Sequence, residues 1–259
     1  MAESSLAVAL RFGDVGVRVA FSCPTAATGL LPALAHARDD TLAAEDLDAG
    51  ITVRRQVGDV GELTWWERAA PLRIALSRVL GADNRQVVHA SVVGDDRGAV
   101  AVVGPRGSGK TTAALAAVHG GFGFVADDYV LLRTEPRAQA ICLYSTACIR
   151  TRSSDHAKRV IDVGSVHADA LRRALPLLAV VAPRVCGGRT RRHRIAAPAA
   201  LRAWAPTTAV LMTGQHGAAI PLLATVVRSL PCYALDVGDD PRDIAEAVHE
   251  IFDAAQSQP

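Results

Sequence analysis

The chain has 259 residues, half of them hydrophobic but only 4% aromatic, and a net charge of +2 from 28 basic and 26 acidic side chains. That length and apolar content allow one medium domain or two small ones built on Ala, Val, Leu and Ile. The near-neutral, evenly mixed charge argues against a nucleic-acid protein held by bulk electrostatics.

No uncharged stretch approaches the roughly 18 residues of a membrane span, and the N-terminus lacks the basic flank of a signal peptide. A soluble cytoplasmic protein with no membrane partner is therefore expected. Five scattered cysteines, Cys23, Cys142, Cys148, Cys186 and Cys232, show neither a CxxC pair nor a Cys/His cluster. They read as buried thiols of a reducing compartment.

In chain order, Leu6–Phe12 and Val17–Ser22 alternate in polarity and are joined through Gly13–Gly16, which predicts a β-hairpin. Ile51–Val57 is a further strand. Thr64–Leu80 carries apolar residues at helical spacing, interrupted by Pro71 and stopped at Gly81, with Trp65 and Trp66 as core anchors. Gln86–Val93 predicts a strand, Asp95–Gly98 a tight turn, and Ala99–Val103 a strand apolar on both faces. Thr111–His119 is an alanine-rich helix with a glycine stop at Gly120 and Gly121. Phe122–Val125 and Tyr129–Arg133 follow as strands around Asp127 and Asp128. Later elements are a strand at Leu177–Val181, helices at Ala199–Trp204 and Ile220–Ser229, a strand at Tyr233–Val237 and a last helix from Pro241 to Ala254. Helices interleave with strands, so the class is α/β. The expected division is residues 1–85, an N-terminal β/helix region packed on the core, and 86–259.

The segment Gly104, Pro105, Arg106, Gly107, Ser108, Gly109, Lys110, Thr111 and Thr112 (GPRGSGKTT) matches G-x-x-x-x-G-K-[ST]. By composition, about one accidental match is expected in a thousand such chains. Each residue type has a task in phosphate binding. Glycines let successive N–H groups turn towards an anion, Lys110 brings charge to the β/γ-phosphates, and the Thr111 hydroxyl is a Mg²⁺ ligand. Lys110 is one of two lysines in a chain that otherwise uses arginine. A compact ammonium fits between phosphate oxygens where a planar guanidinium does not. The helix that follows turns its positive end to the same anion. The bland alternative is a glycine-rich turn that binds nothing.

If Phe122–Val125 climbs beside the P-loop strand, Asp127 and Asp128 arrive next to the phosphates. Two adjacent carboxylates there call for a cation, which Mg²⁺ supplies. One can serve the metal while the other takes the proton of an attacking hydroxyl, and spacing alone leaves the division open. His89, in VVHASVV, is by itself more often structural than functional.

Taken together, His-Ala-Ser on a strand, a turn, a hydrophobic strand, GxxGSGKTT and an apolar strand ending Ala-Asp-Asp resemble the core of the HPr kinase/phosphorylase family. The segment Pro231–Val248 (PCYALDVGDDPRDIAEAV) is similar to the C-terminus of its short members. The likeness is nearest to those of bacterial peptide natural-product clusters, which include kinases acting on a serine of lasso-peptide precursors. It is specific over Val88–Arg133. The resemblance implies a P-loop kinase core, a mixed sheet with flanking helices, preceded by an N-terminal β-hairpin and helix. It implies that His89 lines the active site, that Asp127 is the catalytic acid/base and that Asp128 accompanies Thr111 at the metal. The chain departs from the family in lacking the glycine-rich signature after the core and in its short N-terminal region. Those departures point away from HPr as substrate and from phosphorolysis.

Arg150 and Arg152 are candidate substrate or phosphate contacts. The run Arg184, Arg189, Arg191, Arg192 and Arg194 could bind carboxylate or phosphate in the same way, its bland reading being a solvated basic loop. The expected activity is ATP- and Mg²⁺-dependent transfer of the γ-phosphoryl group to a hydroxyl, serine of a peptide or small protein, with homo-oligomerisation possible by analogy. The alternative is a regulatory NTPase with no acceptor. A transporter ATPase and a GTPase are disfavoured by the lack of LSGGQ-like and NKxD segments.

Overall fold

A computed structural model describes residues 6–22, 27–28, 30–53, 65–150, 158–166, 168–211 and 216–257. Two units divide the chain, Met1–Gly81 and Ala82–Pro259. In the first, β1 (Leu6–Phe12) and β2 (Val15–Phe21) form an antiparallel hairpin whose turn places Gly13 at φ 64°. β3 (Ala49–Val53) runs parallel to β2. This strand stops at Val53, and residues 54–57 of the expected strand lie outside the described residues. A short helix α1 (Leu31–Leu34) and the long α2 (Trp65–Leu80), with Pro71 inside it, complete the unit. The side chains of Trp65 and Trp66 lie outside what is described.

The second unit is a mixed α/β assembly of multi-stranded sheets flanked by helices. Its main sheet contains β4 (Arg85–Val88), β5 (Ser91–Asp95), β6 (Gly98–Val102), β7 (Gly123–Ala126), β8 (Val130–Arg133) and β9 (Gln139–Cys142), together with β12 (Ala174–Val185), β13 (Arg191–Arg194) and β14 (Cys232–Val237). β10 (Thr146–Arg150) and β11 (Lys158–Asp162) form a separate antiparallel ribbon, followed by a single helical turn α4 (Val163–Val166).

β12 joins the two halves of the large sheet. Its first residues pair antiparallel with β9, and its later residues run parallel to β6 on one side and β14 on the other. Alternation along β6 sends Val100 and Val102 to one face and Ala99, Ala101 and Val103 to the other. The first face is covered by α3 (Lys110–His119) and α7 (Pro241–Gln256). The second is covered by α5 (Ala197–Leu211) and α6 (His216–Ser229). Asp240 caps α7 by accepting the N–H of Arg242 at 2.8 Å.

Several elements differ from the sequence expectation. Gln86–Val93 is two strands, because after Val88 the chain leaves β8 and enters the β6–β7 region. The interruption at His89 and Ala90 leaves the His89 peptide groups outside both ladders. They are satisfied from α5, where Thr208 Oγ1 accepts the His89 N–H at 3.2 Å and Trp204 Nε1 donates to the His89 carbonyl at 3.0 Å. β12 extends well beyond Leu177–Val181, and α5 and α6 pass through Pro206 and Pro221. Arg191–Arg194 is a strand, not a loop. Within the basic run, Arg192 pairs with Glu250 at 2.6 Å, Arg184 with Asp236 at 3.0 Å, and Arg194 lies over the Tyr233 ring. Cys142, Cys148 and Cys232 are buried, whereas Cys186 is exposed where β12 leaves the sheet. Among the described residues no helix is long and apolar enough to cross a membrane.

Trp204 is fully buried and holds the one indole donor on the His89 carbonyl. Trp204→Phe keeps most of the apolar volume but orphans that carbonyl. Its expected cost is about 1–3 kcal/mol, read as a fall in denaturant midpoint at unchanged slope.

Candidate active site

β5 is antiparallel to both β6 and β7, with Ser91 opposite Val102 and Val92 opposite Ala126. The start of β5 therefore lies at the edge where β6 and β7 end. The expectation that the aspartate strand lies directly beside the P-loop strand is corrected here, since β5 stands between them. The delivery still works, because β6 and β7 remain parallel to each other, and the inserted strand adds Ser91 to the same edge.

Beyond β6, the chain turns through Gly104, Gly107 and Gly109 at φ 147°, 84° and 103°. These angles suit glycine and disfavour other residues, and Gly109 is the left-handed N-cap of α3. Lys110 is buried and folds back over the loop, donating from Nζ to the carbonyls of Gly104 at 2.9 Å and Pro105 at 3.1 Å. Pro105, Arg106, Gly107 and Thr112 are exposed around it, with Ser108 and Thr111 half-buried.

Asp127 is 4% exposed. Its Oδ1 accepts the Ser91 hydroxyl and the Thr111 hydroxyl, the latter at 3.0 Å, and its Oδ2 accepts the Cys148 backbone N–H at 3.0 Å. Burial, helped by the neighbouring Asp128 charge, pushes its carboxyl up to about 6, against the pull of those three donors.

Asp128 sits at φ 66°, and the N–H of Tyr129 bonds the Asp127 carbonyl at 2.8 Å across it. This three-residue turn holds a non-glycine residue in the left-handed region, a conformation that costs on the order of 1–3 kcal/mol and concentrates at functional sites. The turn aims the two adjacent carboxylates in different directions. Asp127 points inward at Thr111, and Asp128 points to His89, whose Nε2 lies 3.4 Å from its Oδ1. The His89 ring is set edge-on to Tyr129, with centroids 6.2 Å apart, and its Nδ1 is buried with no hydrogen-bond partner among the described residues.

The sequence-derived candidates Lys110, Thr111, Asp127, Asp128 and His89 thus occupy one edge of one sheet. Thr111 touches Asp127, not Asp128. Arg150 ends β10, two residues beyond the Cys148 amide, while Arg152 lies outside the described residues. Sequence reasoning gave no role to Ser91 or to the Cys148 amide. Ser91 had a legible signal, a hydroxyl two residues from His89 in an apolar run. The Cys148 contact had none, because a backbone N–H carries no residue signature.

The donors present fit a magnesium–nucleotide complex. The Thr111 hydroxyl and the Asp127 carboxylate are hard oxygen donors in contact at the N-terminus of a helix. Mg²⁺ takes few protein ligands beside phosphate oxygens and water. Among the described residues, no three His, Cys, Asp or Glu side chains form a metal cage. The glycine loop and Lys110 fit phosphates by the same reasoning.

No family model and no curated protein matches the chain. One similar solved structure is described as the Hpr(Ser) kinase/phosphatase from Coxiella burnetii. It shares 14% identity, with 66% of this chain and 99% of that chain covered and a TM-score of 0.41. A likeness of that degree carries no weight for mechanism.

A carboxyl raised from 3.8 to about 6 contributes stability that is complete below pH 3.8 and lost as pH rises through 6. The stability of Asp127→Asn relative to wild type should therefore rise between pH 4 and pH 7, by on the order of 2–3 kcal/mol. Urea unfolding of both proteins without nucleotide or metal across that range measures it. A pH-independent difference would contradict the raised value.

Proposed function

We propose that this chain is a P-loop phosphotransferase that moves the γ-phosphoryl group of ATP, with Mg²⁺, to a hydroxyl, and that the acceptor is a serine of a peptide or small protein. The observation that carries the reading is the buried Asp127 carboxylate held against Thr111 at the end of the glycine loop. Burial beside the Asp128 charge raises this carboxyl, and a carboxylate at that point can serve either as proton acceptor or as metal ligand.

The loop amides and Lys110 hold the triphosphate, with Lys110 exchanging its carbonyl partners for phosphate oxygens. Thr111 and one aspartate hold Mg²⁺, which neutralises charge on the transferring group. The other aspartate orients the acceptor and takes its proton. The family resemblance assigns the base to Asp127 and the metal to Asp128. The contact between Thr111 and Asp127 supports the reverse division, in which Asp128 with His89 faces the acceptor. A serine in a lasso-peptide-type precursor is the acceptor that the sequence resemblance favours. Arg150 and Arg152 are the cations proposed to meet it. Cytoplasmic location and self-association belong to the same proposal.

Mass spectrometry after incubation with ATP, Mg²⁺ and a panel of serine-ending peptides plus HPr tests the reading. A phosphate adduct on one of them is expected. Steady ATP hydrolysis with every acceptor unmodified would support the regulatory NTPase instead.

Lys110→Arg should retain the fold and lose about 100-fold or more in turnover, whereas Lys158→Arg should stay within about twofold. The two aspartates separate in a Mg²⁺ titration. Replacement of the metal-holding residue by Asn raises the Mg²⁺ needed for half-maximal rate. The same change at the base lowers kcat by about 100-fold or more even at saturating Mg²⁺.

A further inference from the structure

Most of the site's machinery addresses phosphate, which leaves the rest of a nucleotide without a seat. β6, β12 and β14 are parallel and end at one edge, and in open α/β sheets ligands lie outside such strand ends. β6 ends in the glycine loop. Beside it, β12 ends at Val185 and β14 at Val237. A Cβ on Gly109, the N-cap of α3, would lie 3.2 Å from Val185 Cγ2 and 3.3 Å from Val237 Cγ2. Val237 is buried, but Val185 is 59% exposed. Among the described residues the only other exposed large hydrophobic is Leu6, in the other unit.

A single exposed valine needs no explanation by itself. This one is presented by a fastened loop. The N–H groups of Cys186 and Gly187 both donate to the Val237 carbonyl, at 3.0 and 3.2 Å. Gly188 donates to Asp239 Oδ2 at 2.6 Å and accepts the Asp239 N–H at 3.0 Å, while Gly238 donates to Thr190 Oγ1 at 3.1 Å. After Cys186, whose thiol turns to Asp236, Gly187 and Gly188 hold left-handed angles of 70° and 68° and add no side chain to the loop. The result is a hydrogen-bonded loop that carries Val185 beside the phosphate loop, with Gly109 as the shared boundary.

We infer that Val185 and the Gly187–Gly188 peptides form the platform on which the purine base of the bound nucleoside triphosphate lies. Planar heterocycles are held by such surfaces through contact area and desolvation, with few polar groups needed. The inference rests on the phosphate-binding reading of the loop and adds to it a reason for choosing a nucleotide over bare polyphosphate.

Calorimetric titration of wild type and Val185→Ser with Mg-ATP and with Mg-tripolyphosphate tests it. Val185→Ser removes apolar contact from a surface position without adding charge. Wild type should bind ATP about 10-fold or more tighter than tripolyphosphate. The variant should weaken ATP by about 3- to 10-fold and leave tripolyphosphate within about twofold. Equal effects on both ligands, or no effect on ATP while both still bind, would overturn the platform and leave the phosphate loop standing. If neither ligand binds the wild type, the phosphate reading falls and the platform falls with it.

Discussion

A carboxylate buried away from water must find donors, and Asp127 takes its three from three different elements. Ser91 belongs to β5, Thr111 to α3 and the Cys148 amide to β10. One side chain on the far end of β7 therefore ties the inserted strand, the loop helix and the two-stranded ribbon to a common point. None of the three donors removes the burial penalty fully, as the raised pKa shows. The site is thus assembled around a carboxylate whose ionised form burial disfavours.

The same economy of partners governs His89. Its imidazole meets Asp128, yet its backbone is held by Trp204 and Thr208 from the helix on the opposite face of the sheet. The chain can leave one ladder and enter another at His89 only because α5 supplies the missing hydrogen bonds. Positioning of the ring is in this sense a property of two layers, and α5 takes part in the site without touching its chemistry.

Much of this was legible from residues near one another in the chain. The strand, the glycine loop and the helix form a continuous segment, and the hairpin from Ser91 to Val102 is set by the Asp95–Gly98 turn. What stayed hidden depends on distant partners. That β5 separates β6 from β7 follows from pairing preferences no local pattern encodes. Pro176 and Pro183 bound the expected Leu177–Val181 strand, and both lie inside β12. Proline marks edges and bulges on average, so tertiary pairing overrode the local signal. α5 likewise runs past the expected end at Trp204 and through Pro206. In β13, four consecutive charged or polar residues looked like loop because the strand buries none of them.

The dependence of β6 on β12, and of β12 on β14, also orders events in time. Val100 pairs with Ala179 and Val181 with Tyr233, partners separated by long stretches of chain. Such contacts close late, because the intervening loop entropy must be overcome before they form. The alanine-rich face of α3 acquires its cover only when α7 has been made. The glycine loop therefore stands on a helix whose cover, α7, is encoded far downstream of it. The segment most legible in the sequence thus rests on a partner encoded more than 120 residues later.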